Sequence, residues 1–218
     1  MRLYDYPASA NCYKVRLLLA QLGIAHERVG VDIFAGDTLT QEYGEKNPAL
    51  TTPVLELAPG EYLPESNAIL LYLADGGELM PDAKTDRAQV YRWLFFEQAT
   101  IVPIIGNFRF RLATDRLAPN SEEAQRLKAM AAAIAATVES HLRSREFFVA
   151  GEYSIADVAM YGYLHVADET GVDMSPFPSM QAWLERVRAQ PGHVADLVPY
   201  PPNSRRGESR SIYDMFGV

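Results

Sequence analysis

Three short segments in the first third of the chain carry polar residues where a backbone group or a hydroxyl could meet a ligand. They are the turn PASAN at residues 7–11, the pair Thr52-Pro53 and the pair Glu65-Ser66. A serine at a helix N-terminus offers a hydroxyl beside free backbone N–H groups, which together form a ready anion site. A cis bond before Pro53 would expose the backbone of Thr52 to a ligand, since cis bonds are essentially a proline feature.

Each segment also has a purely structural interpretation. Serine and asparagine are preferred N-cap residues, so Ser9, Asn11 and Ser66 could serve only to begin helices. Proline has no N–H for a sheet ladder, so Pro53 could simply mark the start of a strand. The residue types alone leave both interpretations open.

The first third of the chain alternates short strands with helices. The segments are, in order, a strand RLYDY, a helix 11–22, a strand HERVGVDI, a short helix TLTQEYGEK, a hairpin PVLEL-APG-EYL and a helix SNAILLYLAD. Strand–helix–strand predicts parallel pairing and the hairpin predicts an antiparallel edge, so we expect an α/β domain with a mixed four-stranded sheet. In this topology all three polar segments can lie at one end of the sheet.

The rest of the chain is predicted to be helical. DGGELMPDAKT has the composition of a linker, and amphipathic runs follow at residues 85–117 and 121–142. Pro103 lies inside the first run and predicts a kink. We therefore divide the chain into an N-terminal domain at residues 1–76, a linker at 77–85 and an all-α helical bundle at 86–218. The C-terminal tail of that bundle should wrap the surface without regular structure.

A clear local signal in the helical half is the segment YSIADV. Ser154 is followed three residues later by Asp157, which is the spacing of a capping box. Reciprocal capping fixes where a helix begins, and its loss costs on the order of 1 kcal/mol. We interpret this pair as a folding device without a chemical role.

Composition and charge argue against several classes of protein. The chain has 218 residues and a net charge of −8, which argues against nucleic acid as a partner because phosphate binding needs a basic face. The single cysteine, Cys12, can form neither an intrachain disulfide nor a thiolate-rich metal site, and the four histidines lack metal-ligand spacing. No secretory signal is evident, and no apolar stretch approaches the roughly 20 residues of a membrane span. We expect a cytoplasmic protein without a metal or a membrane partner.

The order of several motifs carries a family resemblance. SANCYKVRLLL, NPALTTPVLEL and ESNAILLYLA are followed by RWLFFEQ and GEYSIADV. In this combination the chain resembles the cytosolic glutathione transferases, in a bacterial branch near the theta and nu classes, over nearly its whole length. The resemblance implies a thioredoxin-like N-terminal domain, an all-helical C-terminal domain, a homodimer and an active site at the domain interface, with glutathione as co-substrate and detoxification as the role.

The resemblance assigns glutathione contacts to the polar segments. Ser66 would bind the anionic γ-glutamyl end of glutathione, and Glu65 would pair with its ammonium group. Thr52, before a cis Pro53, would pair its backbone with the cysteinyl part as a short antiparallel strand would. Thr51 stands where the family often has a basic residue that holds the glycyl carboxylate.

The chain departs from the family pattern around that carboxylate. The family often has glycine where Leu50 stands, and theta relatives have a histidine where Thr38 stands. Threonine hydroxyls at positions 38 and 51 are weaker carboxylate partners than charged donors. We therefore expect modest affinity for glutathione, or a different contact at that end.

Two residues of the first turn are candidates for activating the glutathione thiol. Ser9 occupies the position of the catalytic serine in theta-like enzymes, and Asn11 matches an asparagine that contacts the sulfur in nu-like enzymes. A hydroxyl donor and a helix N-terminus both favour a thiolate. Cys12 shares a helix face with apolar residues and is predicted to pack in the core.

The second substrate is expected against the helical domain, after Pro103. The candidate residues for its pocket are Ile105, Phe108, Arg109 and Leu112. The apolar members could equally be bundle core. Arg109 needs a partner among apolar neighbours, and it could contact a substrate anion or form a structural ion pair. Glu97 could reach glutathione across the dimer interface.

These assignments predict a glutathione transferase that conjugates the thiolate of glutathione to small hydrophobic electrophiles. A glutathione-dependent disulfide reductase or peroxidase is the nearest enzymatic alternative, because Asn11 and the absence of a catalytic cysteine allow it. A glutathione-binding carrier or regulatory protein without turnover is the alternative from another class.

Overall fold

The computed structural model describes residues 1–215, and its N-terminal part is built on a mixed four-stranded sheet, as the sequence predicts. The strands are β1 (Arg2–Asp5), β2 (Glu27–Gly30), β3 (Val54–Ala58) and β4 (Glu61–Pro64), in the order β2-β1-β3-β4. β1 runs parallel to β2 and antiparallel to β3, and β3 pairs with β4 in a hairpin. Apolar Leu3 lies opposite Leu55 at the centre of the sheet, and both are fully buried.

Three helices complete this part, namely α1 (Ala10–Gln21), α2 (Gln41–Lys46) and α3 (Ser66–Ala74). α1 is buried on two sides, where the sequence suggested one apolar face. Val15 and Leu19 pack against the sheet, whereas Leu17 and Leu18 belong to the large core of the helical part. The reason is that α1 lies between the sheet and the later helix α7 (Ile155–Leu164) and contacts both.

The remainder is helical, as expected. It contains α4 (Lys84–Phe96), α5 (Asn107–Ala113), α6 (Glu122–Leu142), α7 (Ile155–Leu164), α8 (Pro178–Arg188) and a short α9 (Ile212–Met215). Single 3-10 turns lie at Asp37–Leu39, Ala167–Thr170 and Pro202–Ser204. α4 begins at Lys84, so the last residues of the predicted linker 77–85 are already helical, and the domain limits stay a prediction. None of the helices within residues 1–215 combines the length and the apolar character needed to cross a membrane.

Pro103 lies in a π-helical segment, Glu97–Gly106, which joins α4 to α5. Proline cannot donate the usual backbone hydrogen bond, and its ring crowds the preceding turn of an α-helix. The wider π-helical hydrogen-bonding pattern occurs here in place of an α-helical turn. Gly106 ends the segment, and a Cβ at this position would lie 2.6 Å from the ring of Tyr163.

The prediction that the C-terminal tail lacks regular structure is wrong. The tail contains the 3-10 turn at Pro202–Ser204 and α9, and it packs against the body of the protein at defined contacts. The Arg116 guanidinium pairs with Asp214 at 2.7 Å, and the backbone N–H of Arg210 donates to the carbonyl of Phe34 at 2.7 Å. Polar anchors of this kind cannot be predicted from a proline-rich and polar composition.

The predicted capping box at the start of α7 is present. The Ser154 hydroxyl caps the first turn, and Asp157 accepts from the Ser154 backbone N–H at 3.0 Å. The Asp157 carboxylate also accepts from the indole N–H of Trp183 at 2.8 Å and from the backbone N–H of Phe148 at 3.1 Å. The aspartate therefore ties α7 to α8 and to the preceding loop, beyond its own helix.

Candidate functional site

A cleft of about 470 Å³ lies between the sheet end of the N-terminal part and the helices. Among the sequence-predicted site residues, it is lined by Ser9, Asn11, Thr51, Thr52, Pro53, Glu65, Ser66 and Arg109. Three further predicted residues, Ile105, Phe108 and Leu112, do not line it. One end of the cleft is therefore polar and combines all three segments singled out in the sequence.

Ser9 and Asn11 stand at the start of α1. Ser9 has an extended backbone and caps the helix, because its Oγ accepts from the backbone N–H of Cys12 at 3.3 Å. A hydroxyl that accepts a hydrogen bond keeps its own hydrogen for another acceptor. Ser9 can thus cap the helix and still donate into the cleft.

The N-termini of α1 and α3 meet in the cleft through a side-chain hydrogen bond. The Ser66 hydroxyl donates to Oδ1 of Asn11 at 3.2 Å. Because Oδ1 accepts this bond, the Asn11 amide group keeps its N–H donors for a ligand. The sequence did not predict this contact, since the two residues belong to separate motifs.

Glu65 precedes α3 with φ 74° and ψ 111°. A non-glycine residue in this conformation is uncommon, and such backbone strain costs on the order of 1–3 kcal/mol. Strain of this kind is retained where the surrounding structure enforces it, often at ligand sites. The Glu65 side chain lines the cleft beside Ser66.

The peptide bond between Thr52 and Pro53 is cis, as the sequence predicts. The backbone of Thr51, just before this pair, is fixed by two hydrogen bonds. Its carbonyl accepts from the Tyr43 hydroxyl at 2.8 Å and from the Asn47 amide at 2.9 Å. The Thr51 hydroxyl oxygen accepts from the same amide at 3.0 Å and so keeps its hydrogen for another acceptor. Thr38 is buried and does not line the cleft.

Aromatic side chains form the other end of the cleft. It is lined by Tyr6, Phe110, Tyr163, Tyr200 and Tyr213. The ring centroids of Phe110 and Tyr213 are 4.8 Å apart, and those of Phe110 and Tyr200 are 5.6 Å apart. Burial raises the pKa of Tyr200 to about 12, so its phenol stays protonated and acts as a hydrogen-bond donor at neutral pH.

Tyr200, Ile212 and Tyr213 in the cleft wall come from the C-terminal tail, and sequence reasoning missed all three. The available signal was the two tyrosines and a few other large apolar residues of the tail, and this signal does not show where the tail packs. The tail contributes to the cleft because Arg116 and Phe34 anchor it there.

Ile105, Phe108 and Leu112 lie outside the cleft, contrary to the prediction. Ile105 is fully buried in the main core, and Phe108 packs with Leu112 in a separate cluster near α6. π-helical hydrogen bonds span one residue more than α-helical ones, so the face that an uninterrupted helical spacing would present is displaced after the segment. The cleft is lined instead by Val102, Pro103, Gly106, Asn107, Arg109 and Phe110.

Glu97 does not reach toward a second molecule. Its side chain is fully buried, and it accepts from the Lys14 ammonium at 2.8 Å and from the Asn67 amide at 2.9 Å. Burial lowers the pKa of Lys14, while the Glu97 carboxylate opposes that change. The expectation of a contact across a dimer interface is therefore wrong, because the carboxylate is occupied inside the chain.

Cys12 is fully buried, as predicted, and its sulfur accepts from the backbone N–H of Tyr6 at 3.3 Å. Burial raises the pKa of this thiol to about 11, so it stays protonated and poorly nucleophilic at neutral pH. We expect Cys12→Ala to keep most of the transferase activity that the sequence predicts, measured as kcat/KM for conjugation of glutathione to an electrophilic acceptor. A near-total loss in a variant that folds normally would contradict this expectation.

The comparisons with known proteins agree with this architecture. Residues 3–77 match the glutathione S-transferase N-terminal domain and residues 91–191 match its C-terminal domain. Within residues 1–215, no group of three His, Cys, Asp or Glu side chains could hold a metal ion.

Individual relatives span nearly the full chain. A glutathione S-transferase from Pseudomonas fluorescens Pf-5 is 42% identical, with a TM-score of 0.86 over 90% of this chain and 98% of its own. A glutathione transferase from Burkholderia graminis, whose crystal structure holds two glutathione molecules per subunit, is 30% identical, with a TM-score of 0.76 over 88% and 84%. The disulfide-bond oxidoreductase YfcG from Escherichia coli K12 is 27% identical over 95% of this chain and 99% of its own. The chain belongs to the glutathione S-transferase family.

Proposed function

We propose that the protein is a glutathione transferase that joins the sulfur of glutathione to an electrophilic carbon of a small hydrophobic compound. The observation that carries the proposal is the hydrogen bond between Ser66 and Asn11, which brings two helix N-termini together beside the cis Thr52-Pro53 bond. Helix N-termini and their free N–H groups favour an anion. The aromatic end of the same cleft offers an apolar surface for a second compound.

The polar end supports a specific placement of glutathione. Ser66 and the first turn of α3 would bind the γ-glutamyl carboxylate, and Glu65 would pair with the ammonium group. Thr52 would exchange backbone hydrogen bonds with the cysteinyl residue. The Thr51 hydroxyl, whose oxygen is engaged by Asn47, would offer its hydrogen to the glycyl carboxylate.

Ser9 and Asn11 would favour the thiolate at the start of α1. The free thiol of glutathione resembles cysteine, with a pKa of roughly 8.5, so only a small share is ionised at neutral pH. A hydroxyl hydrogen from Ser9 and an amide N–H from Asn11 would stabilise the anion. The thiolate then attacks the electrophilic carbon, a new carbon–sulfur bond forms, and the leaving group departs with its bonding electrons.

A matched pair of serine variants tests this mechanism. Ser9→Ala is expected to lower kcat/KM with a chloronitrobenzene acceptor by about a hundredfold, the scale of one lost anion-stabilising donor. It should also raise the apparent pKa in the pH profile of kcat/KM. The control is Ser121→Ala, since Ser121 caps α6 in the same way but lies outside the cleft.

Unchanged activity in Ser9→Ala would shift the role to Asn11, and Asn11→Ala should then cause the larger loss. If neither variant changes the pH profile, the proposed activation of the thiol is wrong. The Ser121→Ala variant separates loss of a helix cap from loss of chemistry.

The contact with the glycyl carboxylate gives a separate expectation. Because a threonine hydroxyl replaces a charged donor, the dissociation constant of glutathione should lie well above the low-micromolar range. Isothermal titration calorimetry measures it directly, and Thr51→Lys should tighten binding. A low-micromolar value for the unaltered protein would contradict the expectation.

Two alternatives have their own support. The similarity to a disulfide-bond oxidoreductase favours glutathione-dependent reduction of a disulfide or a peroxide, and a carrier or regulatory role would need only the binding half of the cleft. Assays of the purified protein with a chloronitrobenzene, a peroxide and a small disulfide separate these functions. Inertness in all three, with glutathione still bound, would favour the carrier.

We also propose that the protein forms a homodimer in the cytoplasm and acts in detoxification. Exposed aromatic side chains on α3 and α4 support an interface, since Tyr72 is 52% and Phe95 is 73% exposed. Light scattering after gel filtration gives the mass of the assembly. Phe95→Glu should reduce that mass to the monomer if this surface is the interface.

A further inference from the structure

Arg109 is a buried cation in the wall of the cleft. Its side chain is only 4% exposed, and its Nε donates to Oε2 of Glu169 at 2.6 Å. Within residues 1–215, its two terminal amino groups make no hydrogen bond. A guanidinium has several N–H donors in a rigid fork, so the ion pair with Glu169 uses only one of them.

The surroundings of Arg109 do not neutralise its charge fully. The Glu169 carboxylate is 45% exposed, so solvent screens part of its interaction with the guanidinium. Arg109 also faces a second cavity of about 320 Å³, where Arg188 is a further cation. Glu169 therefore compensates the buried charge only in part, and the unused donors of the guanidinium favour a second acceptor.

Arg109 is also the one basic residue among the described residues that line the active cleft, and Glu65 is the one acidic residue. Glu65 lies beside Ser66 at the polar end, where the proposed function assigns it to the ammonium group of glutathione. The Arg109 guanidinium lies instead over an aromatic ring, with its Cζ atom 5.3 Å from the centre of the Tyr200 ring. The unused donors are therefore available to the second substrate.

We propose that the second substrate is an aromatic electrophile that carries a carboxylate, and that Arg109 binds this carboxylate. The planar fork of arginine matches a carboxylate in a bidentate arrangement. The rings of Phe110, Tyr200 and Tyr213 suit a flat apolar body. This inference rests on the proposed transferase function and adds the substrate class and the residue that selects it.

Two acceptors that differ in one substituent test the proposal. They are 4-chloro-3,5-dinitrobenzoate, which carries the carboxylate, and 4-chloro-3,5-dinitrobenzotrifluoride, which is neutral. In both, the glutathione thiolate attacks the carbon that bears chlorine, a carbon–sulfur bond forms, chloride leaves with the bonding pair and the thiol proton goes to solvent. Each kcat/KM is divided by the rate constant of the uncatalysed reaction, which removes the difference in intrinsic reactivity.

The measured quantity is the ratio of the two normalised values, carboxylate over neutral acceptor. Arg109→Met is expected to lower this ratio at least about tenfold, since one lost charge-assisted contact is worth about that factor. Arg109→Lys should give an intermediate ratio because it keeps the charge but loses the fork. The control is Arg111→Met, which removes an arginine of the same helix that pairs with Glu123 outside the cleft and should leave the ratio unchanged.

A binding measurement keeps the two proposals distinguishable. Calorimetry with 3,5-dinitrobenzoate on glutathione-saturated protein should show binding that Arg109→Met weakens at least about tenfold. Conjugation of both acceptors with the same ratio in all variants would overturn the role of Arg109 and leave the transferase function standing. Absence of conjugation with Arg109-dependent binding of dinitrobenzoate would overturn the transferase function and support the carboxylate site.

If Arg109→Met fails to fold, Arg109→Lys carries the test. Its ratio must then lie below that of the unaltered protein, and circular dichroism must show a native fold. A Lys variant with an unchanged ratio and unchanged dinitrobenzoate binding would overturn the proposal.

Discussion

Lys14→Met is expected to lower the free energy of unfolding by about 3–5 kcal/mol, because it leaves the Glu97 carboxylate buried without its partner. Both side chains of the pair are fully buried, and their charged atoms are 2.8 Å apart. Asn67 completes the network, since it contacts the ammonium at 3.1 Å and the carboxylate at 2.9 Å. The residual amide contact cannot replace the cation. Urea denaturation followed by circular dichroism measures the change.

The double variant Lys14→Met/Glu97→Leu provides the internal comparison. It removes both charges together and should recover most of the loss, as replacement of buried pairs by apolar residues often does. Arg87→Met is the matched control, because the Arg87–Asp75 pair is exposed and its atoms are 3.6 Å apart. If Lys14→Met is as stable as Arg87→Met, the buried pair does not stabilise the contact between α1 and the helical part.

Asp157→Ala is expected to lower the free energy of unfolding by about 3–5 kcal/mol, more than the sequence alone suggests for a capping residue. The substitution leaves two buried donors, the indole N–H of Trp183 and the backbone N–H of Phe148, without an acceptor. It also removes the reciprocal bond to Ser154. Burial raises the pKa of Asp157, four hydrogen bonds to the carboxylate offset part of the rise, and the resulting pKa is about 6. The carboxylate is therefore largely ionised at neutral pH.

Ser154→Ala separates the two contributions, because it removes the cap hydroxyl and keeps the aspartate. Its expected cost is about 1 kcal/mol. If the alanine variant does not accumulate, Asp157→Asn replaces it in the test. The asparagine keeps the shape of the side chain, but its amide N–H group then faces one of the buried N–H donors that the carboxylate had accepted from. Equal losses in Ser154→Ala and Asp157→Ala, measured by chemical denaturation, would mean that the contacts to α8 and the preceding loop add nothing.

The polar end of the site could be predicted from the sequence because each of its features is local. A serine at a helix start, such as Ser66, and a proline before an apolar strand, such as Pro53, mark local structure in the sequence alone, and the family resemblance then assigned them to a ligand site. The sheet could be predicted for a similar reason, since strand periodicity and the APG turn are short-range signals. The hydrogen bond between Ser66 and Asn11 could not be predicted, because it depends on tertiary structure.

The apolar end could not be predicted because its determinants are distant or depend on exact helical phase. An uninterrupted helical spacing selected Ile105, Phe108 and Leu112, and the π-helical segment placed Phe110 in the cleft instead. Tyr200 and Tyr213 reach the cleft because residues far along the chain, among them Arg116 and Phe34, anchor the tail. The pairing of Lys14 with Glu97 could not be predicted either, because the sequence around each residue gives no sign of the other.

Helix α1 belongs to the hydrophobic cores of both halves of the molecule. It packs against α7, and a Cβ on Gly162 would collide with the side chain of Lys14. A gene recombination that joined residues 1–76 to the helical part of a distant relative would preserve every strand pairing and still disrupt this contact. The predicted linker at 77–85, where composition suggests a natural join, is therefore a poor crossover point. A chimaera should therefore take Lys14, Glu97 and Gly162 from the same parent.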